Sequence, residues 1–212
     1  MPNKIVVMVS AALIAVGACA LYAQELLQVK ASCNYYGEAM RDDLYGFASD
    51  AEAQTAVGRI MKYTGLPQNF IVMAADVDSA EAGVIENDAG GLERYLLYSQ
   101  DFMLRVKDLT HTDWSALSIM AHEIGHHLAG HTLQPGGRRP PTELEADKFS
   151  AFVLYRMGAT LAEAQIVMKT IASDAGSATH PPKSARLAAI TNGWIQAREQ
   201  NPLQPTPSAP LR

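Results

Sequence analysis

The chain has 212 residues, 48% of them hydrophobic, which suffices for one globular domain with a substantial core. Its 22 acidic residues outnumber 17 basic ones, for a net charge of −5. With Arg138-Arg139 too short to form a basic surface, that balance argues against a nucleic-acid partner.

Residues 1–23 carry a single lysine, Lys4, and then an uncharged, mostly apolar run from Ile5 to Ala23. This is the pattern of a secretory signal, with Ala18-Cys19-Ala20 offering a cleavage site. Two other readings stay open. Val16-Gly17-Ala18-Cys19 resembles a bacterial lipobox, in which Cys19 would be lipidated, and the apolar run is long enough for an uncleaved membrane anchor. All three place residues 24–200 outside the cytoplasm, in the bacterial periplasm or cell envelope. The last two also tie the chain to a membrane through its N-terminus. Cleavage of the signal leaves Cys33 without a partner for a disulfide, so Cys33 is expected to be a buried, unreactive thiol.

Residues 37–65 read as one or two helices ending at Gly65, with Pro67 beyond. Strands are expected over 69–76 and 82–87, then a turn at 88–91 and a strand from Leu92. A helix follows Asp113, its expected N-cap, and another covers 143–157 with Thr142 as cap. Helices over 160–173, capped by Thr160, and 183–199 complete the domain. Residues 201–212 form a Pro-rich tail. The order predicts an α+β domain, mostly helical, with a small sheet beside the helix after Asp113.

That helix carries the chemistry. Residues 121–131, AHEIGHHLAGH, hold four of the six histidines. At about 100° per residue, His126 lies about 40° around the helix from His122, one turn along, so both rings can reach one metal. Glu123 flanks the same face, and His122-Glu-Ile-Gly-His126 has the form H-E-x-x-H of zinc hydrolases. His127 points to the side. His131 is expected about 180° from His122, on the opposite face of the helix. The metzincin pattern, which needs a histidine at position 132, fails because Thr132 stands there.

A third ligand is therefore sought in Thr142-Glu143-Leu144-Glu145-Ala146-Asp147. Glu143 and Asp147 share a helix face while Glu145 points away. Glu143 can reach the metal, and Asp147 can hold a ligand histidine by its other ring nitrogen.

H-E-x-x-H followed by E-x-x-x-D on the next helix resembles the gluzincin metallopeptidases, and Glu143-Leu144-Glu145-Ala146-Asp147 is similar to their HtpX-like, CAAX-prenyl-protease-type and BepA-like branch. Thr179-His180-Pro181 with Arg186 is similar to that family's T-H-P-x-x-x-x-R segment, and residues 94–102 to the strand and following segment that precede its active-site helix. The resemblance spans roughly residues 35–195. It implies a zincin-like fold, one Zn2+ held by His122, His126 and Glu143, Asp147 orienting a ligand histidine, and His180 and Arg186 near the catalytic centre. The multi-span membrane helices and the tetratricopeptide region of individual branches are missing, so their substrates do not carry over.

The expected function is an exported zinc endopeptidase acting on protein or peptide substrates, with protein quality control in the envelope as a setting. Glu123 would be the proton carrier, and His180 or Arg186 would stabilise the oxyanion. The alternative is a zinc-bound chaperone-like or binding module with little proteolysis.

Overall fold

The computed structural model describes residues 25–35, 41, 43–133 and 140–201. The signal, lipobox and anchor readings, and the tail from 202 onward, lie outside those residues.

Among the described residues, five strands come first: β1 (Glu25–Asn34), β2 (Asp43–Ala48), β3 (Ile71–Ala75), β4 (Ala80–Glu86) and β5 (Leu92–Tyr98), with helix α1 (Ala51–Met61) after β2. They close in the order β1-β2-β3-β5-β4, with β4 pairing back onto β1. All pairings are antiparallel except β3 with β5. The helices follow: α2 (Gln100–Thr110), α3 (Trp114–Leu128), α4 (Pro140–Met157), α5 (Leu161–Ile171) and α6 (Lys183–Gln200), with a short 3-10 turn at His131–Leu133.

The sheet is larger than the sequence suggested. Residues 43–48 form a strand where a helix was expected, because Leu44 faces the barrel while Tyr45 faces solvent, the two-residue period of a strand. Gly46 is required there. A Cβ on it would stand 2.3 Å from Met73 Sδ and 3.0 Å from Leu27 Cδ1, side chains of the strands on either side. β1 and α2 were not anticipated. α2 is fixed at its start by the Ser99 hydroxyl, which accepts from Phe102 N. Asp113 does not cap α3 as expected; its backbone is already helical, and its carboxylate pairs with Lys107 at 3.0 Å. α4 opens at Pro140, a residue suited to the first helical position, so Thr142 lies inside the first turn instead of capping it.

Two clusters hold the fold. Leu27, Val29, Leu44, Ala75, Ile85, Tyr95 and Leu97 fill the barrel. The alternate residues Leu96 and Tyr98, with Val72, Ala74 and Ala80, face the helices and pack with Ile119, Ile124, Leu154, Val167 and Ile190. β5 is thus buried on both faces, which explains its unbroken Tyr-Leu-Leu-Tyr run. α3 lies in the middle of this layer and is buried almost all round, from Ser115 to His127.

α3 and α4 touch backbone to side chain at Gly125, where a Cβ would meet Ala146 Cα at 3.2 Å and Phe149 Cδ1 at 3.0 Å. α4 and α6 approach still more closely. At Gly193 a Cβ would lie 2.0 Å from the Lys148 carbonyl oxygen. Gly193→Ala is therefore expected to force the two helices apart and cost about 1–3 kcal/mol, as overpacking does. Gly58→Ala, in α1 with open space around it, should stabilise by about 0.5–1 kcal/mol. Chemical denaturation of both variants checks this, and equal effects would contradict the packing account.

Candidate metal centre

His122 and His126 project from α3 one turn apart, and Glu143 reaches them from the first turn of α4. The His122 and His126 Nε2 atoms are 3.1 Å from each other. Glu143 Oε2 lies 3.3 Å from His122 Nε2, and Oε1 3.5 Å from His126 Nε2. All three residues are buried, and they form a group that could hold a metal ion.

The donor set fits a cation. Glu143 Oε1 and Oε2 and His180 Nε2 are buried, close to partners, and yet in no hydrogen-bonding orientation; Glu123 Oε1 is also buried and makes no hydrogen bond. Buried polar atoms are seldom left so. Two imidazole nitrogens and a carboxylate facing one another concentrate electron pairs in a region without water. Either a shared proton or a metal ion must compensate them. The pKa directions report the same pressure. Burial disfavours a protonated His122, but the hydrogen bond to Asp147 and the nearby negative charge of Glu143 outweigh it and raise its pKa to about 9. Burial and the neighbouring His122 charge push His126 well down. Glu143 falls well below the carboxylate range because its contacts with His122 and His180 overcome burial.

Asp147 lies against the outer nitrogen of His122. Its Oδ1 accepts from His122 Nδ1 at 2.9 Å, which leaves Nε2 to face Glu143. Arg186 in turn grips Asp147: Nε donates to Oδ2 at 2.7 Å and Nη2 to Oδ1 at 2.8 Å. Both residues are buried, and the arginine charge overcomes burial to hold the Asp147 carboxyl below its usual value. Tyr35 completes this corner, with its ring edge-on to His122 at 5.2 Å and under the Arg186 guanidinium at 5.2 Å.

Glu123 is fully buried, and its Oε2 accepts from the Ala82 backbone N–H of β4 at 2.9 Å. Burial, more than anything else, raises its pKa well above the usual carboxylate range. His180 comes from the turn before α6, with Nε2 3.0 Å from Glu143 Oε2 and Nδ1 3.1 Å from Thr179 Oγ1. Gly176, at φ 71°, folds that turn so tightly that a Cβ would meet the His180 carbonyl oxygen at 2.7 Å. The structure thus brings His122, Glu123, His126, Glu143, Asp147 and His180 together. It gives Arg186 to Asp147.

Three contacts escaped the sequence: Tyr35 on His122, the Ala82 N–H on Glu123, and His131 on His126. The last had a signal. α3 ends at Leu128, and Gly130, at φ 71°, turns the chain back, so the helical projection to the opposite face does not apply to His131. Its Nδ1 lies 2.9 Å from His126 Nδ1.

His127 belongs to the core. Its ring stacks on Phe70 at 5.3 Å, and Nε2 donates to the Tyr95 carbonyl at 2.9 Å. Burial lowers its pKa to about 4. A ring that titrates near 6.5 when unfolded and near 4 when folded favours the native state while it is neutral. This contribution is complete above pH 6.5 and is lost as pH falls toward 4, on the order of 3 kcal/mol. His127→Gln, which keeps a donor for Tyr95 but does not titrate, should flatten stability against pH in that window. An unchanged slope would contradict the assignment.

No protein-family model, curated protein or solved structure matches the chain.

Proposed function

We propose that the chain is an exported zinc-dependent endopeptidase of the gluzincin kind that its motifs resemble. The observation that best supports this reading is the convergence of His122, His126 and Glu143 with Glu123 beside them. Two imidazoles and one carboxylate are a hydrolytic zinc set, whereas calcium and magnesium favour oxygen-only shells. Bound by these residues, zinc would supply a water with its pKa lowered toward about 7 and polarisation of a scissile carbonyl.

Glu123 handles the proton. Ala82 N–H fixes Oε2, which leaves Oε1 to take the proton from the attacking water and deliver it to the leaving amine. Asp147 orients His122, and Arg186 orients Asp147. Of the two residues expected to stabilise the oxyanion, His180 is the one this arrangement leaves for it.

The substrate is a protein or peptide. Because His122, Glu123, His126 and Glu143 are all shielded from solvent, a peptide reaches them only after part of their cover moves. The same shielding favours the second reading, a zinc-bound binding or chaperone-like module with little proteolysis.

Casein turnover by the purified protein, with and without a chelator, separates the two. The peptidase reading expects chelator-sensitive cleavage, zinc retained but turnover cut at least about 100-fold in Glu123→Gln, and zinc lost in Glu143→Ala. Zinc-loaded protein that leaves casein intact would favour the binding module. A fully active Glu123→Gln protein would remove the proton role.

A further inference from the structure

Two histidines of the candidate centre are braced in different ways. His122 rests on Asp147 directly. His126 has no carboxylate at its outer nitrogen; it has His131, buried, whose other nitrogen Nε2 lies 3.0 Å from Glu145 Oε2. We infer that His131, held by Glu145, is a positioning residue that fixes the tautomer of His126. This rests on the metal-centre reading proposed above.

The assignment follows from the two ends of the chain of contacts. An ionised carboxylate only accepts hydrogen bonds, so His131 Nε2 must donate to Glu145. At the other end, a metal ion on His126 Nε2 leaves the proton of that ring on Nδ1, so His131 Nδ1 accepts. The 2.9 Å contact with His126 therefore runs from the Nδ1–H of His126 to His131. His126 Nε2 is left without a proton, facing His122 Nε2 and Glu143. The ring planes of His126 and His131 meet at 69°, so the contact is edge-on and not a stack.

The local sequence serves this arrangement. Gly130 ends α3 and turns His131 back beneath it, while the spacing of Glu143, Glu145 and Asp147 sends Glu145 to the other side of α4. Glu145 is 67% exposed. The brace on His126 thus ends in solvent, while that on His122 ends on buried Arg186. Outer partners of this type typically change metal affinity by about 10–100-fold.

The test is Zn2+ affinity by competition with a fluorescent chelator, combined with 1H–15N spectra of histidine-labelled full chain, metal-free and loaded. His131→Ala should weaken zinc binding by about 10–100-fold, and His131→Gln, whose amide oxygen can accept from His126, should restore most of it. Glu145→Ala, at an exposed position, should weaken binding by a smaller factor with its melting temperature unchanged. In the unchanged chain the His126 proton should sit on Nδ1 and exchange slowly, and His131→Ala should speed its exchange. Zinc affinity of His131→Ala within about twofold of the unchanged chain, or the His126 proton found on Nε2, would overturn the inference. If the unchanged chain binds no zinc, the metal reading fails instead, and the position of the ring proton in the metal-free protein still decides this one.

Discussion

Two imidazole nitrogens and a carboxylate face one another within 3.1 to 3.5 Å, out of reach of water. Such a cluster of acceptors is unfavourable unless positive charge lies among them. Everything around it can be understood as control over where protons are. Asp147 takes the outer proton of His122, the His131 contact occupies the outer nitrogen of His126, and Ala82 N–H engages one oxygen of Glu123. The inner atoms are thereby turned toward a common point. A buried ion pair such as Asp147 with Arg186 is weak evidence for stability, since desolvation offsets much of its attraction. Its value here is geometric: a planar fork holding a carboxylate in one orientation, so that the carboxylate holds His122 in one.

Placing these groups requires close helices. Glu143 and Asp147 sit on α4, and they reach His122 and His126 because Gly125 lets α4 lie against α3. Arg186 reaches Asp147 from α6, which nears α4 at Gly193. The sheet contributes from the other side, through β4 and Ala82. Glycine at these two crossings is thus tied to the chemistry through two steps of packing. The barrel is more remote: apolar side chains such as Leu27, Leu44 and Leu97 fill much of it, and it meets the centre through the Ala82 N–H of β4.

How much of this is written in the sequence depends on the range of the signal. His122, His126 and Glu123 follow from helical periodicity, and Glu143 and Asp147 from the same periodicity on the next helix, so local spacing was enough. α5 was equally legible, because Thr160 and Glu163 form a reciprocal capping box. β2 was not. Its six residues sit in a stretch rich in Ala, Glu and Asp, and only pairing with β1 and β3 decides their conformation. Closure of the sheet depends on β1 meeting β4, a contact between distant segments with no local trace. His131 was misplaced for a different reason. Helical geometry was extended past Gly130, a residue that ends helices, although the glycine itself was visible. Arg186 was expected at the cleft, but its planar fork matches a carboxylate, and Asp147 lies within reach.

On the proposed reading, this buried cluster is a zinc site of two histidines and one carboxylate. X-ray absorption at the zinc K-edge of the zinc-loaded full chain tests it directly. The account predicts two imidazole nitrogens at about 2.0–2.1 Å and carboxylate or water oxygen at about 2.0–2.2 Å. Loss of the two-imidazole signature on replacing His122 and His126 would tie the ion to these residues. A shell containing sulfur at about 2.3 Å, or zinc that stays bound with the same spectrum after both histidines are replaced, would contradict it.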